Sequence, residues 1–192
     1  MERASAFVKV PRERVGALVG PDGRVKENIE KKLKIGLRID SQTGDIQITL
    51  TPTAKDPTVL LSAKEVLTAI GRGFSPEHAF RLLEDDETVL EVIDLREQVG
   101  RSPSDMKRLK GRVIGKEGKT RRIIEELTEA NVSVYGHTIS IIGRMDQVYT
   151  AKEAVRMLIR GSLHCSVYRY LHRKRRELKK KKMELWEPSY RD

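Results

Sequence analysis

The spacing of apolar residues predicts the same succession of elements twice along the chain. Short runs rich in apolar and β-branched residues, Phe7–Val10 and Thr88–Leu95, favour strands. Each run is followed by a short helix that ends at a loop with two glycines, at Val19 in the first half and at Ile114 in the second.

A second helix, two strands and a third helix follow in each half. Apolar residues three and four positions apart predict second helices at Arg24–Lys34 and Lys119–Ala130, and third helices at Thr58–Ile70 and Asp146–Ile159. The strands alternate in polarity and are Gly36–Asp40, Asp45–Leu50, Asn131–Tyr135 and His137–Ile142. The order β-α-α-β-β-α predicts an α+β protein of two tandem domains, each a three-stranded sheet covered on one face by three helices.

Aligning the chain with itself supports an internal duplication. At an offset of 95 residues, Gly16–Arg24 lies over Gly111–Lys119 without a gap, and three glycines coincide. At a slightly shorter offset, Ala63–Val66 matches Ala151–Ala154. Two related domains therefore explain the sequence better than one large domain.

The predicted boundaries follow from this duplication. They are 1–74 for the first domain, 75–87 for a helical linker, 88–161 for the second domain and 162–192 for a basic C-terminal helix and tail. Ser75 followed by Pro76 is typical of a helix N-terminus. We therefore expect an ordered linker whose Phe80, Leu82 and Leu83 pack against one or both domains.

The chain is strongly basic. It contains 38 Lys and Arg against 28 Asp and Glu, which gives a net charge of +10. Such a charge favours an anionic polymer or an anionic surface as partner. The alternative is that the charge only keeps the protein in solution.

Other classes of function find little support in the sequence. The single cysteine, Cys165, excludes an internal disulfide, and the four histidines give no metal-ligand spacing, so no metal or other cofactor is expected. No convergent set of acid, base and nucleophile indicates an enzyme. The N-terminal segment lacks the apolar run of a signal peptide, and no window approaches the roughly 18 apolar residues of a membrane span. We expect a soluble, cytoplasmic protein without a membrane partner.

The second glycine loop has the features of an anion site. In "RVIGKEGKTRRIIEEL", Gly115 and Gly118 remove side chains where a ligand could approach the backbone, and the first amides of the next helix lack internal partners. An NTPase loop would need a glycine where Val113 stands and a strand where a helix is predicted, so that interpretation is disfavoured.

The loop with its flanking elements resembles the KH family of single-strand nucleic-acid binders. "VIGKEGKTRRIIEELTEANVSV" fits that family closely and "LVGPDGRVKENIEKKLKIGLRI" more loosely, so the resemblance covers most of the chain. It implies that the loop clamps the backbone of a four-nucleotide stretch. The implied RNA-binding residues of the second domain are Arg112, Ile114, Gly115, Lys116, Glu117, Gly118, Lys119, Arg121 and Arg122. The alternative for Lys116 and Lys119 is that they lie on a solvent-exposed face and do not contact RNA.

The KH arrangement also implies a groove for the bases. Ile114 with Ile123 or Ile124 would form its floor, and Val132 to Val134 would offer backbone groups to base edges. Core packing is the alternative for each isoleucine. Because only 5% of the residues are aromatic, stacking of bases on aromatic side chains is not expected to be the main source of binding.

The first copy of the loop differs in charge. Gly20, Gly23, Arg24 and Lys26 are the corresponding candidates, but the loop itself carries no cation, and Asp22 would face a phosphate with like charge. We expect the first domain either to bind RNA weakly or to serve as a protein-docking module.

The C-terminal segment predicts one more helix. Apolar residues spaced for one helical face begin at Leu163, and a dense basic surface continues to about Lys182. The apolar face is short, which disfavours the rival interpretation of membrane binding. Glu184–Asp192 is expected to be a flexible or partner-bound end.

The chain combines a first unit that fits the KH signature loosely, a second unit that fits it closely, and the tail "YLHRKRRELKKKK". This combination resembles one KH subfamily in particular, the archaeal and eukaryotic small-ribosomal-subunit assembly factors. The resemblance implies an archaeal protein that binds near the 3′ end of small-subunit (pre-)ribosomal RNA. Implied partners are the endonuclease that trims that end, the rRNA adenosine dimethylase and the alpha subunit of translation initiation factor two. The alternative is a tandem-KH subunit of an RNA-degrading complex or a general RNA-binding regulator.

Overall fold

The computed structural model of the protein describes residues 4–52, 56–100 and 102–186. The first unit consists of β1 (Ser5–Lys9), α1 (Arg12–Val19), α2 (Arg24–Leu33), β2 (Ile35–Ile39), β3 (Asp45–Leu50) and α3 (Val59–Gly71). Its three strands form an antiparallel sheet in the order β1-β3-β2. The predicted α+β class and the order of elements are confirmed for this unit.

The second unit repeats this plan after a short linker. The linker contains α4 (Pro76–Phe80) and a 3₁₀ turn, and the unit consists of β4 (Thr88–Asp94), α5 (Arg96–Val99), α6 (Pro103–Ile114), α7 (Lys119–Thr128), β5 (Asn131–Tyr135), β6 (Thr138–Arg144) and α8 (Met145–Ile159). Its sheet has the equivalent order β4-β6-β5. The short helix α5 was not predicted, and it has no counterpart in the first unit.

The helix that follows each glycine loop ends in the same way. The residue after α2, Lys34, has φ 53°, and the residue after α7, Glu129, has φ 62°. A left-handed residue turns the chain out of a helix and directly into the next strand. Helix α7 therefore ends at Thr128, before the predicted Ala130.

The C-terminal helix α9 spans His164–Trp186. Its Val167 and Leu171 are buried in the core of the second unit, so the first part of α9 belongs to that core. The expected flexible or partner-bound end from Glu184 begins within the helix, since Glu184–Trp186 continue α9. The rest of that expected end, 187–192, lies outside the described residues.

The outer face of the second sheet packs against the first unit. Ile142 and Leu90, on the side of that sheet away from its own helices, join the hydrophobic cluster of the first unit together with Phe74, Ala79 and Leu82. The second sheet is therefore covered on both faces. The sequence predicted cover on only one.

We expect Ile142→Ala to lower the free energy of unfolding by about 2–5 kcal/mol, because it leaves a cavity in the contact between the two units. Leu61→Ala is the matched control, since Leu61 lies on α3 and is 65% exposed. Denaturant-induced unfolding followed by circular dichroism measures both changes. Equal stability of the two variants would contradict the assignment of Ile142 to the shared core.

Candidate nucleic-acid interface

The two glycine loops have the same backbone conformation. The φ and ψ angles of the first loop are 72° and 176° at Gly20, 52° and 23° at Asp22, and 78° and 5° at Gly23. Those of the second loop are 73° and 176° at Gly115, 54° and 27° at Glu117, and 76° and 11° at Gly118. The loops therefore differ in chemistry rather than in shape. One difference is in the backbone itself, since Pro21 has no amide hydrogen to donate and Lys116 does.

The two glycines of each loop serve different purposes. A Cβ at Gly115 would lie 2.2 Å from Oγ1 of Thr120, and one at Gly20 would lie 2.4 Å from Cγ2 of Val25. The first glycine of each loop is therefore required for packing against the helix that follows. A Cβ at Gly118 would meet only Nε of Arg122, at 3.9 Å. Gly118 is thus the position at which the missing side chain leaves room for a ligand.

Besides Arg112, four cations were predicted to contact RNA at the second loop, and the structure divides them into two pairs. Arg121 lies 3.6 Å from the Glu125 carboxylate, and the Arg122 guanidinium donates to the carbonyl of Glu117. Lys116 and Lys119 are exposed and make no ion pair within the described ranges. These two lysines line both of the cavities beside the loop, each of about 460 Å³. They are the cations that remain available to a phosphate.

Arg112 has a structural role that the sequence did not reveal. Its guanidinium donates to the carbonyls of Leu158, at 3.0 Å, and Ser162, at 2.6 Å, at the end of α8. In the first unit Arg14 makes the corresponding bonds to Ile70 and Phe74. Both arginines place positive charge at the negative end of the third helix. Arg112 therefore holds α6 against α8. It also lines one of the cavities that Lys116 and Lys119 border beside the loop, so its contact with RNA stays a prediction.

The groove predicted beside β5 is formed, with differences in detail. Ile124 is fully buried and belongs to the core, whereas Ile114 and Ile123 are half-buried. The amide of Val132 donates to Oε1 of Glu125, at 2.8 Å, so it is already paired. Because strand amides alternate in direction, the Val134 amide points to the same free edge. Val134 is thus the better placed of the two to meet a base.

The equivalent hydrogen bond in the first unit joins the Leu37 amide to Oε1 of Glu30, at 2.7 Å. Of the cations predicted there, Arg24 lies 3.9 Å from the Asp22 carboxylate, and Lys26 is half-buried without an ion pair among the described residues. Asp22 therefore offsets part of the charge that would attract a phosphate to this loop.

Helix α9 contributes residues that sequence analysis missed. The hydroxyls of Tyr168 and Thr120 share a hydrogen bond of 2.9 Å, and Nε2 of His164 lies 3.0 Å from the carbonyl oxygen of Arg112. Both aromatic residues line one of the cavities that also contain Lys116 and Lys119. The apolar spacing from Leu163 predicted the helix, but no local signal links it to the glycine loop.

A larger cavity, of about 970 Å³, lies elsewhere and has the wrong charge for RNA. Two basic residues line it, Arg144 and Lys174, against five acidic residues: Asp86, Glu87, Glu129, Asp146 and Glu177. The carboxylates would repel a phosphate backbone. Over the described part of the chain no helix is long and apolar enough to cross a membrane, and no group of three or more His, Cys, Asp or Glu is suited to hold a metal ion.

We expect Gly115→Ala to destabilise the protein much more than Gly118→Ala. Both changes place a side chain at a positive φ. Gly118 is in the left-handed helical region, which costs about 1 kcal/mol, whereas Gly115 has ψ 176°, a combination nearly restricted to glycine and therefore more costly. Only Gly115→Ala also forces a Cβ into Thr120. Thermal unfolding of the two variants measures the difference, and equal melting temperatures would contradict the contact with Thr120.

Comparison with family profiles identifies both units. The profile of the eukaryotic-type KH domain, KH-domain type I, matches residues 89–176, and that of the Krr1 KH1 domain matches residues 7–85. The first of these matches extends into α9, in agreement with the burial of Val167 and Leu171.

Two proteins that are similar over most of this chain also point to KH-domain proteins. A KH domain-containing protein of Methanocaldococcus jannaschii is 49% identical over 96% of this chain and 80% of its own length. The RNA-binding protein pno1 of Dictyostelium discoideum is 27% identical over 84% of this chain and 67% of its own length.

Two solved archaeal structures are also similar. A protein of unknown function from Aeropyrum pernix has a TM-score of 0.89, 38% identity, and coverage of 97% of this chain and 98% of its own. A complex of a/eIF2alpha, aDim2p and rRNA from Pyrococcus horikoshii contains a chain with a TM-score of 0.84, 45% identity, and coverage of 91% and 96%. The chain therefore belongs to the family of tandem KH-domain proteins that includes archaeal Dim2p and eukaryotic PNO1.

Proposed function

We propose that this protein is an RNA-binding assembly factor of the small ribosomal subunit, which holds single-stranded ribosomal RNA mainly through the loop Gly115–Gly118. One observation carries the proposal. The loop combines a left-handed glycine backbone with two exposed lysines that have no ion pair among the described residues. A phosphate can therefore approach the backbone beside Gly118 and meet both positive charges.

The grip on the RNA backbone combines three physical effects. The positive end of α7 points at the loop and favours an anion there. Lys116 and Lys119 add charge-assisted hydrogen bonds. The half-buried Ile114 and Ile123 offer apolar contacts to bases, and the free edge at Val134 offers backbone groups. Each effect is a binding effect, and we propose no chemical step for this protein.

The homologues support the ribosomal assignment. The structure from Pyrococcus horikoshii joins aDim2p to rRNA and to a/eIF2alpha, and a relative from Saccharomyces cerevisiae, 26% identical, is described as a pre-rRNA-processing protein. We infer that this protein binds near the 3′ end of small-subunit (pre-)rRNA. We also infer that the alpha subunit of translation initiation factor two is a partner. The other protein partners that we propose are the endonuclease that trims the RNA and the adenosine dimethylase.

The first unit takes a weaker part in RNA binding in this proposal. Its loop has the same backbone shape, so the fold does not prevent a phosphate from approaching. Pro21 stands where the second loop has Lys116, so the first loop lacks both that cation and its amide donor. Asp22 adds an acidic side chain, as Glu117 does at the equivalent position of the second loop. The second unit therefore supplies most of the affinity.

We expect Lys116→Asp to weaken binding of a single-stranded RNA by at least about tenfold, because an anion replaces a cation beside the phosphate. Lys107→Asp is the control, since Lys107 is exposed on α6 and has no ion pair in the described structure. Fluorescence anisotropy measures the affinities. An affinity unchanged in Lys116→Asp, with a normal circular dichroism spectrum, would refute the assignment of the loop.

The converse change in the first loop should strengthen binding. Asp22→Lys removes a like charge and adds a cation, so we expect RNA affinity to rise by about threefold or more. Lys34 already has φ 53° in this protein, so a lysine can adopt the φ of 52° found at position 22. If anisotropy shows no gain, the first loop does not contact RNA.

A further inference from the structure

A basic cavity lies where the two units meet. It has a volume of about 630 Å³ and is bordered by the end of β1, the start of α1, α3 and two residues of the second unit. Its lining includes no carboxylate, but it includes six basic or titratable residues: Lys9, Arg12, Lys64, Arg72, Arg96 and His137. Both units contribute to this junction cavity.

The internal duplication provides a reference for this surface. The Val10 amide donates to the Gly44 carbonyl and the Leu95 amide to the His137 carbonyl, both at 2.9 Å, so Val10 and Leu95 are equivalent. Beyond these positions the copies diverge, because Arg12 begins α1, whereas Glu97 lies on α5, which has no counterpart in the first unit.

Third-helix residues follow the same correspondence. Positions 64, 68, 71 and 72 line the junction cavity, and positions 152, 156, 159 and 160 line a cavity of about 260 Å³ in the second unit. The offset is 88 throughout, as for the matching segments that begin at Ala63 and Ala151. The two cavities are therefore the same surface in two copies.

Only the second copy balances its charges with carboxylates in the lining. There Glu91 and Glu97 line the cavity, and Nζ of Lys152 lies 2.7 Å from Oε1 of Glu91. In the first copy Lys64 and Arg72, the counterparts of Lys152 and Arg160, make no ion pair within the described chain. Like charges held together without a counter-ion repel each other, so the junction cavity attracts an external anion.

Other groups around the junction cavity are partly paired. Lys9 lies 3.5 Å from Asp45, and Arg96 lies 2.6 Å from Asp94. Burial lowers the pKa of His137, with a further contribution from Arg96, so at neutral pH this ring adds no charge. Arg12 interacts electrostatically with Asp40, whose pKa is lowered chiefly by hydrogen bonds from Gln42 and Thr43 with a smaller contribution from Arg12. The uncompensated charge therefore resides chiefly on Lys64 and Arg72.

The junction cavity is near both glycine loops. Arg12 begins α1, whose eight residues span about 12 Å to the first loop. On the second unit, Nζ of Lys110 donates to the Gly136 carbonyl, at 3.0 Å, and so ties the turn that contains His137 to α6. Lys110 stands five residues before Gly115, about 8 Å along the helix.

We propose that the junction cavity binds phosphate groups of the RNA backbone where the strand passes between the two KH units. The inference rests on the proposed function, because it extends the RNA path from the glycine loops. Single-stranded RNA fits better than an acidic protein segment for two reasons. The cavity adjoins elements that lead to the two glycine loops, and Phe7, which is 67% exposed, borders it and offers a face on which a base can stack.

The test compares two random-sequence single-stranded RNAs with the full chain, one of about 6 nucleotides and one of about 16. The short RNA can occupy one loop of about four nucleotides, and the long RNA can extend over both units. Arg72→Glu and Lys64→Glu remove the unpaired charges. Arg160→Glu is the matched control, because Arg160 and Arg72 are the C-cap residues of equivalent helices.

We expect both junction variants to bind the long RNA at least about fivefold more weakly and to reduce the slope of log affinity against log salt by about 0.7 per lost contact. The short RNA should bind within about twofold of wild type, and Arg160→Glu should affect neither RNA by more than that. Lys64 is exposed in mid-helix, so Lys64→Glu decides the question if Arg72→Glu fails to fold.

An unchanged affinity for the long RNA would overturn the proposal. Equal losses for both RNAs and for Arg160→Glu would also overturn it, because they would indicate a general effect of net charge. Loss of binding to purified a/eIF2alpha alone would make the cavity a protein-docking site. Failure of the wild type to bind either RNA would refute the proposed function itself.

Discussion

Packing of the second sheet against the first unit is the contact on which the arrangement of this protein depends. Ile142 and Leu90 leave the core of their own unit and enter the cluster around Phe74, Ala79 and Leu82. A hydrogen bond from Ser133 to the Arg72 carbonyl, at 2.9 Å, adds a polar contact at the edge of β5. The two units are therefore fixed against each other, and the junction cavity exists because they are.

The duplicated loops show how one backbone can serve two chemical purposes. Their torsion angles agree closely, since the first glycine of each must pack against the next helix. That requirement concerns folding and is met equally in both copies. The charge beside the loops differs instead, since Lys116 of the second loop stands where the first loop has Pro21. Fold and function can thus separate within a single chain.

The charged residues likewise show that position in the duplicated fold and role in the structure can differ. Arg14 and Arg112 perform equivalent structural tasks although they do not align in sequence, since each reaches the last carbonyls of a third helix. Lys64 and Lys152 do align, yet among the residues that the structure describes only Lys152 has a carboxylate partner. Equivalent position therefore does not guarantee equivalent role, and the difference between copies points to the surface that remains open to an anion.

The sequence by itself determined the class, the order of elements and the loop as the site of interest. Apolar periodicity and the paired glycines are local signals, and their repetition made them specific. It could not show that Ile124 is core while Ile123 is half-buried, or that Arg112 is engaged in the fold, because such roles depend on partners over 40 residues away in the chain. Nor could it show the basic cavity, whose residues come from both units and meet only when the second sheet packs against the first.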